Sequence, residues 1–378
     1  MNEDSAHKLT IAFDAKRAYL NYRGLGNYSR NLLAQLAHYD SEARYLLCTP
    51  QDKGLFPQLN REPFERIMPQ GLWNLVPSVW RRMGIPAALR DKHVDIYHGL
   101  SQELPEGIER LGCKTVVTMH DAIFMRYPQL YSAAYRHSFI RRNESACRRA
   151  DLIIAISEQT KRDFMSFFGV EEERIRVVYQ GCDERYWLPV SEAQQHEVAE
   201  TYQLPKAFVL SVGALEERKN QVRLIEAMAD ARIDLPLVLV GRGNAQQVQR
   251  LRQTAQQKGV QLQIIDNVRT EHLPAIYHAA AVFAYPSLFE GFGIPILEAA
   301  RCGTPIITSF GTCFEEIAGE GALYVNPTDA GAIGEALRIT LLNDRQTRQR
   351  VEQATTNTEK FRAETIAQSM MTAYRSLL

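Results

Sequence analysis

The feature that most constrains this chain is a rhythm that runs twice. Short apolar runs of three to five residues alternate with longer amphipathic stretches of helix-forming sequence. In the first half the strand-type runs are residues 9–13, 45–48, 96–98, 115–119 and 152–156, with helices expected over 27–38 and 133–149. In the second half they are 208–212, 237–240, 261–265, 282–285 and 305–308, separated by helices over 220–231, 245–258 and 273–280. Strands alternating with helices of this length imply α/β architecture with parallel sheets, because a parallel crossover needs a helix's worth of chain. At 378 residues the chain is long for one core and comfortable for two of roughly 180 residues each. Two Rossmann-like domains follow, 1–186 and 187–361. The boundary is placed in 183–190, where residues 181–183 are expected to end a strand and a polar helical stretch, 192–202, opens the second half. A last helix, 362–378, has no strand after it.

Composition removes several function classes. Lys plus Arg equals Asp plus Glu at 44 each, so there is no basic field to draw nucleic acid. Cys48, Cys113, Cys147, Cys182, Cys302 and Cys313 lack metal-site spacing and read as buried small hydrophobes in a reducing compartment. Residues 1–5 carry no leader-type charge or apolar core, and no apolar run approaches the ~18 residues of a membrane span. These features together predict a cytoplasmic location.

The stretch from Glu290 to Glu298 carries the chemistry. Residues 282–285 form a strand-type run closed by Pro286; Pro295 suits a first helical turn, and Gly303 with Pro305 stops the helix. Glu290 then lies in the loop before a helix and Glu298 about one turn inside it. The backbone N–H groups of Gly291, Phe292, Gly293 and Ile294 are expected at the helix entry, an anion-binding terminus flanked by two acceptors. A hydroxyl-rich anion such as a sugar joined to a nucleoside diphosphate fits that arrangement.

The string Pro286-Ser287-Leu288-Phe289-Glu290-Gly291-Phe292-Gly293-Ile294-Pro295-Ile296-Leu297-Glu298-Ala299 resembles the E-x7-E signature of retaining glycosyltransferases of family 4. The similarity extends over most of the chain. It implies the GT-B fold: two Rossmann-like domains facing across a cleft, with the C-terminal helix 362–378 crossing back to the acceptor-binding first domain. Arg23-Gly24-Leu25-Gly26-Asn27-Tyr28 resembles the family's glycine-rich entry to the first helix, which implies donor contacts at Gly24 and Gly26. Ser29 at the third glycine position and the long loop before Gly24 argue against a dinucleotide fingerprint. His120, after the strand-end residues Thr118-Met119, matches the family's histidine at the donor sugar, with Asp121 either orienting the ring or lying at the surface.

Gly213 to Asn220 resembles the loop that holds the donor diphosphate. Many members carry Arg where this chain has Ala214, so Arg218 is the natural substitute beside Lys219. Gly241-Arg242-Gly243 is similar to a glycine pair next to the nucleotide, and Val268 to a contact of the base. The resemblance therefore assigns Glu290, His120, Arg218 and Lys219 to catalysis. It assigns Gly24, Gly26, Gly213, Gly241, Val268, Gly291, Phe292, Gly293, Ile294 and Glu298, with Arg218, Lys219 and Glu290, to the donor.

No Asp-x-Asp occurs, so no metal clamp for the diphosphate and no cofactor is expected. The implied partners are a nucleotide-sugar donor and a glycan or polyprenyl-linked glycan acceptor. Residues 71–83 carry Trp73, Trp80, Arg81 and Arg82 and read equally as a belt resting on the inner face of the membrane or as a core-packed helix. Residues 24–32, 120–129 and 148–160 look most like bacterial mannosyltransferases of O-antigen and other surface polysaccharides, which favours GDP-mannose over a UDP-sugar. Two readings from other classes are a sugar-nucleotide epimerase and a non-catalytic nucleotide-sugar-binding subunit.

Overall fold

The computed structural model describes residues 8–22 and 24–378. Arg23, and residues 1–5 as read for a leader, lie outside the described residues. The chain divides into two compact units. One comprises the chain up to Gly181 together with Phe361–Leu378, and the other is Cys182–Lys360.

In the first unit seven strands form one sheet: β1 (Thr10–Asp14), β2 (Arg44–Cys48), β3 (Phe64–Ile67), β4 (Ile96–Gly99), β5 (Lys114–Met119), β6 (Leu152–Ala155) and β7 (Ile175–Val177). Their order is β3-β2-β1-β4-β5-β6-β7 and every pairing is parallel. The second unit holds β8 (Val209–Val212), β9 (Leu237–Val240), β10 (Leu262–Ile265), β11 (Val282–Tyr285), β12 (Ile306–Ser309) and β13 (Ala322–Val325). Their order is β10-β9-β8-β11-β12-β13, again parallel throughout. Helices cover both faces, so central strands such as Leu237-Val238-Leu239-Val240 are buried along their whole length and read as unbroken apolar runs.

Two strands escaped the sequence reading, β3 and β13, and both are outermost. An edge strand pairs on one side only and keeps polar or half-exposed positions, as in Phe64-Glu65-Arg66-Ile67, so its apolar signature is weak. The strand expected to end at residues 181–183 instead ends at Val177. Its only partner, β6, stops at Ala155, and the register matches Ala155 to Val177. The helix expected over 27–38 begins earlier and runs Gly24–Tyr39, which places Gly24 and Gly26 in its first turn. The terminal helix, Ala363–Arg375, packs against that helix within the first unit.

Parallel strands deliver their C-terminal ends to one edge of each sheet, where α/β proteins place ligands. His120 follows β5, Gly213 follows β8, Gly241 follows β9, and the loop to Glu290 follows β11.

Candidate active site

In the second unit the loop after β11 turns the chain from Tyr285 into the helix Ile294–Arg301. Gly293 is the residue before that helix and sits at φ +118°, a conformation other residues adopt only with strain; a Cβ there would also press on Phe314 at 3.0 Å. No side chain caps the helix, and Pro295 occupies its first turn. The Cys313 thiol lies against the carbonyls of Glu290 and Phe292 and pins the loop from inside. Gly291 and Phe292 each already have a partner within the chain.

Glu290 is the hub. Its Oε1 accepts from Lys219 Nζ at 2.5 Å, from Ser287 Oγ at 2.7 Å and from the Tyr285 hydroxyl at 3.1 Å. Its Oε2 pairs with Arg218 Nη1 at 2.6 Å. Lys219 also donates to the Tyr285 hydroxyl. Arg218 is held from three sides, since Nη1 also donates to the Phe289 carbonyl at 2.7 Å and Nη2 to Glu216 at 2.5 Å. Burial alone would raise the Glu290 carboxyl, but the adjacent Lys219 and Arg218 charges and their hydrogen bonds outweigh it and hold it at about 2. The stabilisation linked to that shift is complete above the ordinary carboxyl range and disappears as pH falls through about 2. Burial pulls the Arg218 guanidinium down, yet Glu290 and Glu216 more than reverse this, so it stays charged.

Glycines shape the floor. Gly213, at φ +142°, lets the chain pass 3.6 Å from the Lys219 stem, measured from an added Cβ. Gly241, at φ +155°, lies so close to the Gly213 carbonyl that an added Cβ would fall 1.8 Å from it. Gly241 thus has a packing reason to be glycine apart from any ligand. Val268 is half-buried in the loop after β10.

Glu298 forms a second centre one turn into the helix. Its Oε2 accepts from the Tyr277 hydroxyl at 2.8 Å, and the buried Tyr186 hydroxyl nearby has no hydrogen bond of normal geometry. Burial dominates here and pushes the carboxyl up to about 7, against the smaller pull of the tyrosines. The two carboxylates eight residues apart therefore sit in opposite electrostatic states. One is clamped ionised by two cations, and the other titrates near neutrality.

In the first unit His120 is buried at 5% exposure. Its Nε2 lies 2.8 Å from the Leu100 carbonyl, which only accepts, so Nε2 carries the proton and Nδ1 is the ring's acceptor. Burial lowers its pKa to about 4. Asp121 Oδ1 accepts from the Ile123 backbone N–H at 3.1 Å. Gly24 has open space around it, whereas a Cβ on Gly26 would fall 1.8 Å from the Asn21 carbonyl.

The structure thus gathers Glu290, Arg218, Lys219 and Gly213 into one cluster in the second unit, with Gly291, Phe292, Gly293 and Ile294 at its helix entry and Glu298 a turn further on. His120, Gly24 and Gly26 belong to the first unit. Sequence reasoning did not single out Tyr285, Ser287 or Glu216, which complete the Glu290 cluster, or Tyr277 and Tyr186 beside Glu298. Ser287 and Tyr285 flank Pro286 just before the signature, the one place where their roles could have been sought.

In the 71–83 segment Trp80 follows the core-packed reading. Trp80 is buried at 1% exposure, and Arg81 is consumed by Asp14, at 2.5 Å, and by Glu103, so neither is available to a membrane. Arg82 pairs with Glu106. A short turn, Gly71–Leu75, and the helical residues after it leave Leu72, Trp73, Leu75, Val76, Val79 and Met83 exposed instead. Among the described residues no helix is long and apolar enough to cross a membrane, and no three His, Cys, Asp or Glu side chains could hold a metal ion. All six cysteines are buried and free.

Two parallel-sheet units with a basic-acidic cluster at a helix entry are what the GT-B resemblance implies. Residues 22–186 match Glycosyltransferase Family 4, and residues 194–358 match Glycosyl transferases group 1. The chain is 33% identical over 265 residues to O-antigen chain mannosyltransferase B of Escherichia coli, covering 68% of each protein. It is 27% identical to O-antigen chain mannosyltransferase RfbU of Salmonella typhimurium, covering 59% of each. Its fold matches HepE of Anabaena in complex with UDP, with a TM-score of 0.74 at 20% identity over 98% of this chain and all of that one. The chain belongs to the family 4 glycosyltransferases and is a hexosyltransferase related to the bacterial O-antigen mannosyltransferases.

Proposed function

We propose that this protein is a retaining, metal-independent mannosyltransferase. In this reading it moves mannose from GDP-mannose to a glycan or lipid-linked glycan acceptor during surface polysaccharide synthesis. The observation that carries it is the buried Arg218–Glu290–Lys219 cluster beside a helix entry that no side chain caps. The relatives named as mannosyltransferases support the choice of sugar.

In this reading the donor's diphosphate meets Arg218 and Lys219, two cations already fixed in place before any ligand arrives. Preorganised charge of this kind stabilises the leaving diphosphate without reorganisation at the moment of reaction. Glu290 accepts from sugar hydroxyls, the amides of the helix entry donate to sugar oxygens, and His120, through Nδ1, accepts from a sugar hydroxyl. Glu298 accepts from the ribose hydroxyls, and Val268 lies against the base. The acceptor hydroxyl attacks from the face the diphosphate leaves, so configuration is retained without a separate base. The soluble face of the cytoplasm or the inner surface of the membrane is where such a donor is met.

A UDP-sugar is the second reading, favoured by the fold shared with a UDP-bound structure. A panel of GDP- and UDP-sugars, each incubated with the enzyme, separates these and the other classes. Release of GDP from GDP-mannose supports the first reading and release of UDP the second. An altered sugar would mark an epimerase, and binding without turnover a non-catalytic subunit.

The state of Glu298 gives a further test. Its folded pKa of about 7 lies above the ordinary value, so its contribution to stability is full at low pH and is lost as pH rises through about 7. Ribose hydroxyls donate more strongly to the ionised form, which accepts at both oxygens. GDP-mannose should therefore bind more tightly as pH rises from 6 to 8, roughly tenfold if the linkage to this one group is complete. Titration calorimetry in buffers of different ionisation enthalpy should show a fraction of a proton released near pH 6.5. Glu298→Gln should flatten the profile, and proton uptake by the unaltered protein would refute the assignment.

A further inference from the structure

Behind His120 the first unit buries a chain of four polar side chains drawn from four elements. The Tyr374 hydroxyl, on the terminal helix, lies 2.6 Å from His98 Nδ1 on β4. His98 Nε2 lies 2.8 Å from Thr118 Oγ1 on β5, and Thr118 Oγ1 lies 3.0 Å from the Tyr28 hydroxyl on the helix Gly24–Tyr39. Tyr374, His98 and Thr118 are fully buried and Tyr28 is 5% exposed. Burial, with the nearby His120, pushes His98 down to about 3, so the ring is neutral. A neutral imidazole donates at one nitrogen and accepts at the other, so the tautomer of His98 sets the sense of the bonds on both sides of it.

Apolar residues at all four positions would pack in the same space with no polar atom to satisfy. A buried network of this kind is therefore a device for fixing one geometry rather than a source of net stability. What it fixes is the Tyr28 ring, whose far end Thr118 holds. That ring stands edge-on against the His120 imidazole, with centroids 4.7 Å apart and planes at 88°. His120 is thus located by the Leu100 carbonyl and by Tyr28.

We infer that Tyr28, with Thr118, His98 and Tyr374 behind it, positions His120 for the reaction, so that the terminal helix contributes to the site without touching a substrate. The inference rests on the role proposed for His120.

The test compares Thr118→Val, which keeps the shape and removes the hydroxyl, with Thr118→Ser, each alone and combined with His120→Ala. Nucleotide release is followed from GDP-mannose, or from UDP-glucose if that is the sugar turned over, together with the imidazole nitrogen resonances of His120. Thr118→Val should lower kcat about tenfold while KM changes less than about twofold, as a small misplacement of a reacting group does. Thr118→Ser should restore most of it. In the His120→Ala background Thr118→Val should have no further effect on kcat, and His120 should pass from one tautomer to a mixture in the single variant. An equal fall in both backgrounds, or unchanged kcat with unchanged resonances, overturns the inference. Should Thr118→Val fail to fold, Tyr374→Phe replaces it with the same expectations. Full activity in His120→Ala alone is a separate result that refutes the role of His120 itself and removes the basis of the inference.

Discussion

Arg218→Ala lowers nucleotide release from the donor by about 100- to 1000-fold, the usual consequence of removing one preorganised donor from developing charge. The fold survives, because Lys219, Ser287 and Tyr285 still hold Glu290 Oε1. Stability nevertheless falls, since Glu216 loses its partner and Glu290 loses one of two cations. Thermal unfolding should therefore shift by several degrees, while circular dichroism at 25 °C is unchanged. Arg218→Lys keeps the charge but loses the fork that reaches Glu216, Phe289 and Glu290 together, so it should recover only part of the rate. Turnover by Arg218→Ala within about threefold of the unaltered enzyme would remove Arg218 from the chemistry and leave it a structural ion-pair partner.

The prediction also decides a point that the chain left open. Arg218 stands where an arginine four residues earlier is replaced by Ala214, and sequence alone could not show whether it reaches the same place. The structure brings its guanidinium onto Glu290, because the short helical turn Glu217–Lys219 folds the loop back beneath β11 and the Leu288 N–H bonds to the Arg218 carbonyl.

The central strands were legible in the sequence because burial on both faces leaves mostly apolar residues there. The edge strands β3 and β13 were not, because each keeps polar or half-exposed positions. The carboxylate pair was legible for another reason: a glycine, a proline and a strand-type run fix where a helix starts, and so fix which side chains stand at its entry. The tyrosines were illegible. Tyr277, Tyr186 and Tyr28 look like core aromatics in any window, and they are; their hydroxyls matter only because other elements bring Glu298 and Thr118 to them. The choice between the two readings of Trp80 and Arg81, membrane belt or core-packed helix, was illegible for the same reason. Their partners, Asp14 and Glu103 for the arginine and the core for the tryptophan, are non-local.

Glu290→Gln tests the electrostatic claim most severely, because it separates the cluster's structural cost from its function. The amide has the shape of the carboxylate but no charge, so Arg218 and Lys219 are left as buried cations facing a neutral group. Breaking a buried pair this way costs about 3–5 kcal/mol. For a unit of this size that corresponds to a fall in Tm of roughly 10 °C. A diphosphate bound on those cations would supply the missing negative charge. GDP, or UDP if that is the nucleotide used, should therefore raise the Tm of Glu290→Gln by more than it raises that of the unaltered protein at the same concentration, because binding to the folded state adds stability in proportion to affinity. Turnover should still be lost, since the amide cannot accept sugar hydroxyls as the carboxylate does. The combination is diagnostic: a destabilised, inactive variant that the diphosphate rescues thermally but not catalytically. If the nucleotide shifts both proteins equally, the cations do not face the diphosphate, and the donor must lie elsewhere on the second unit.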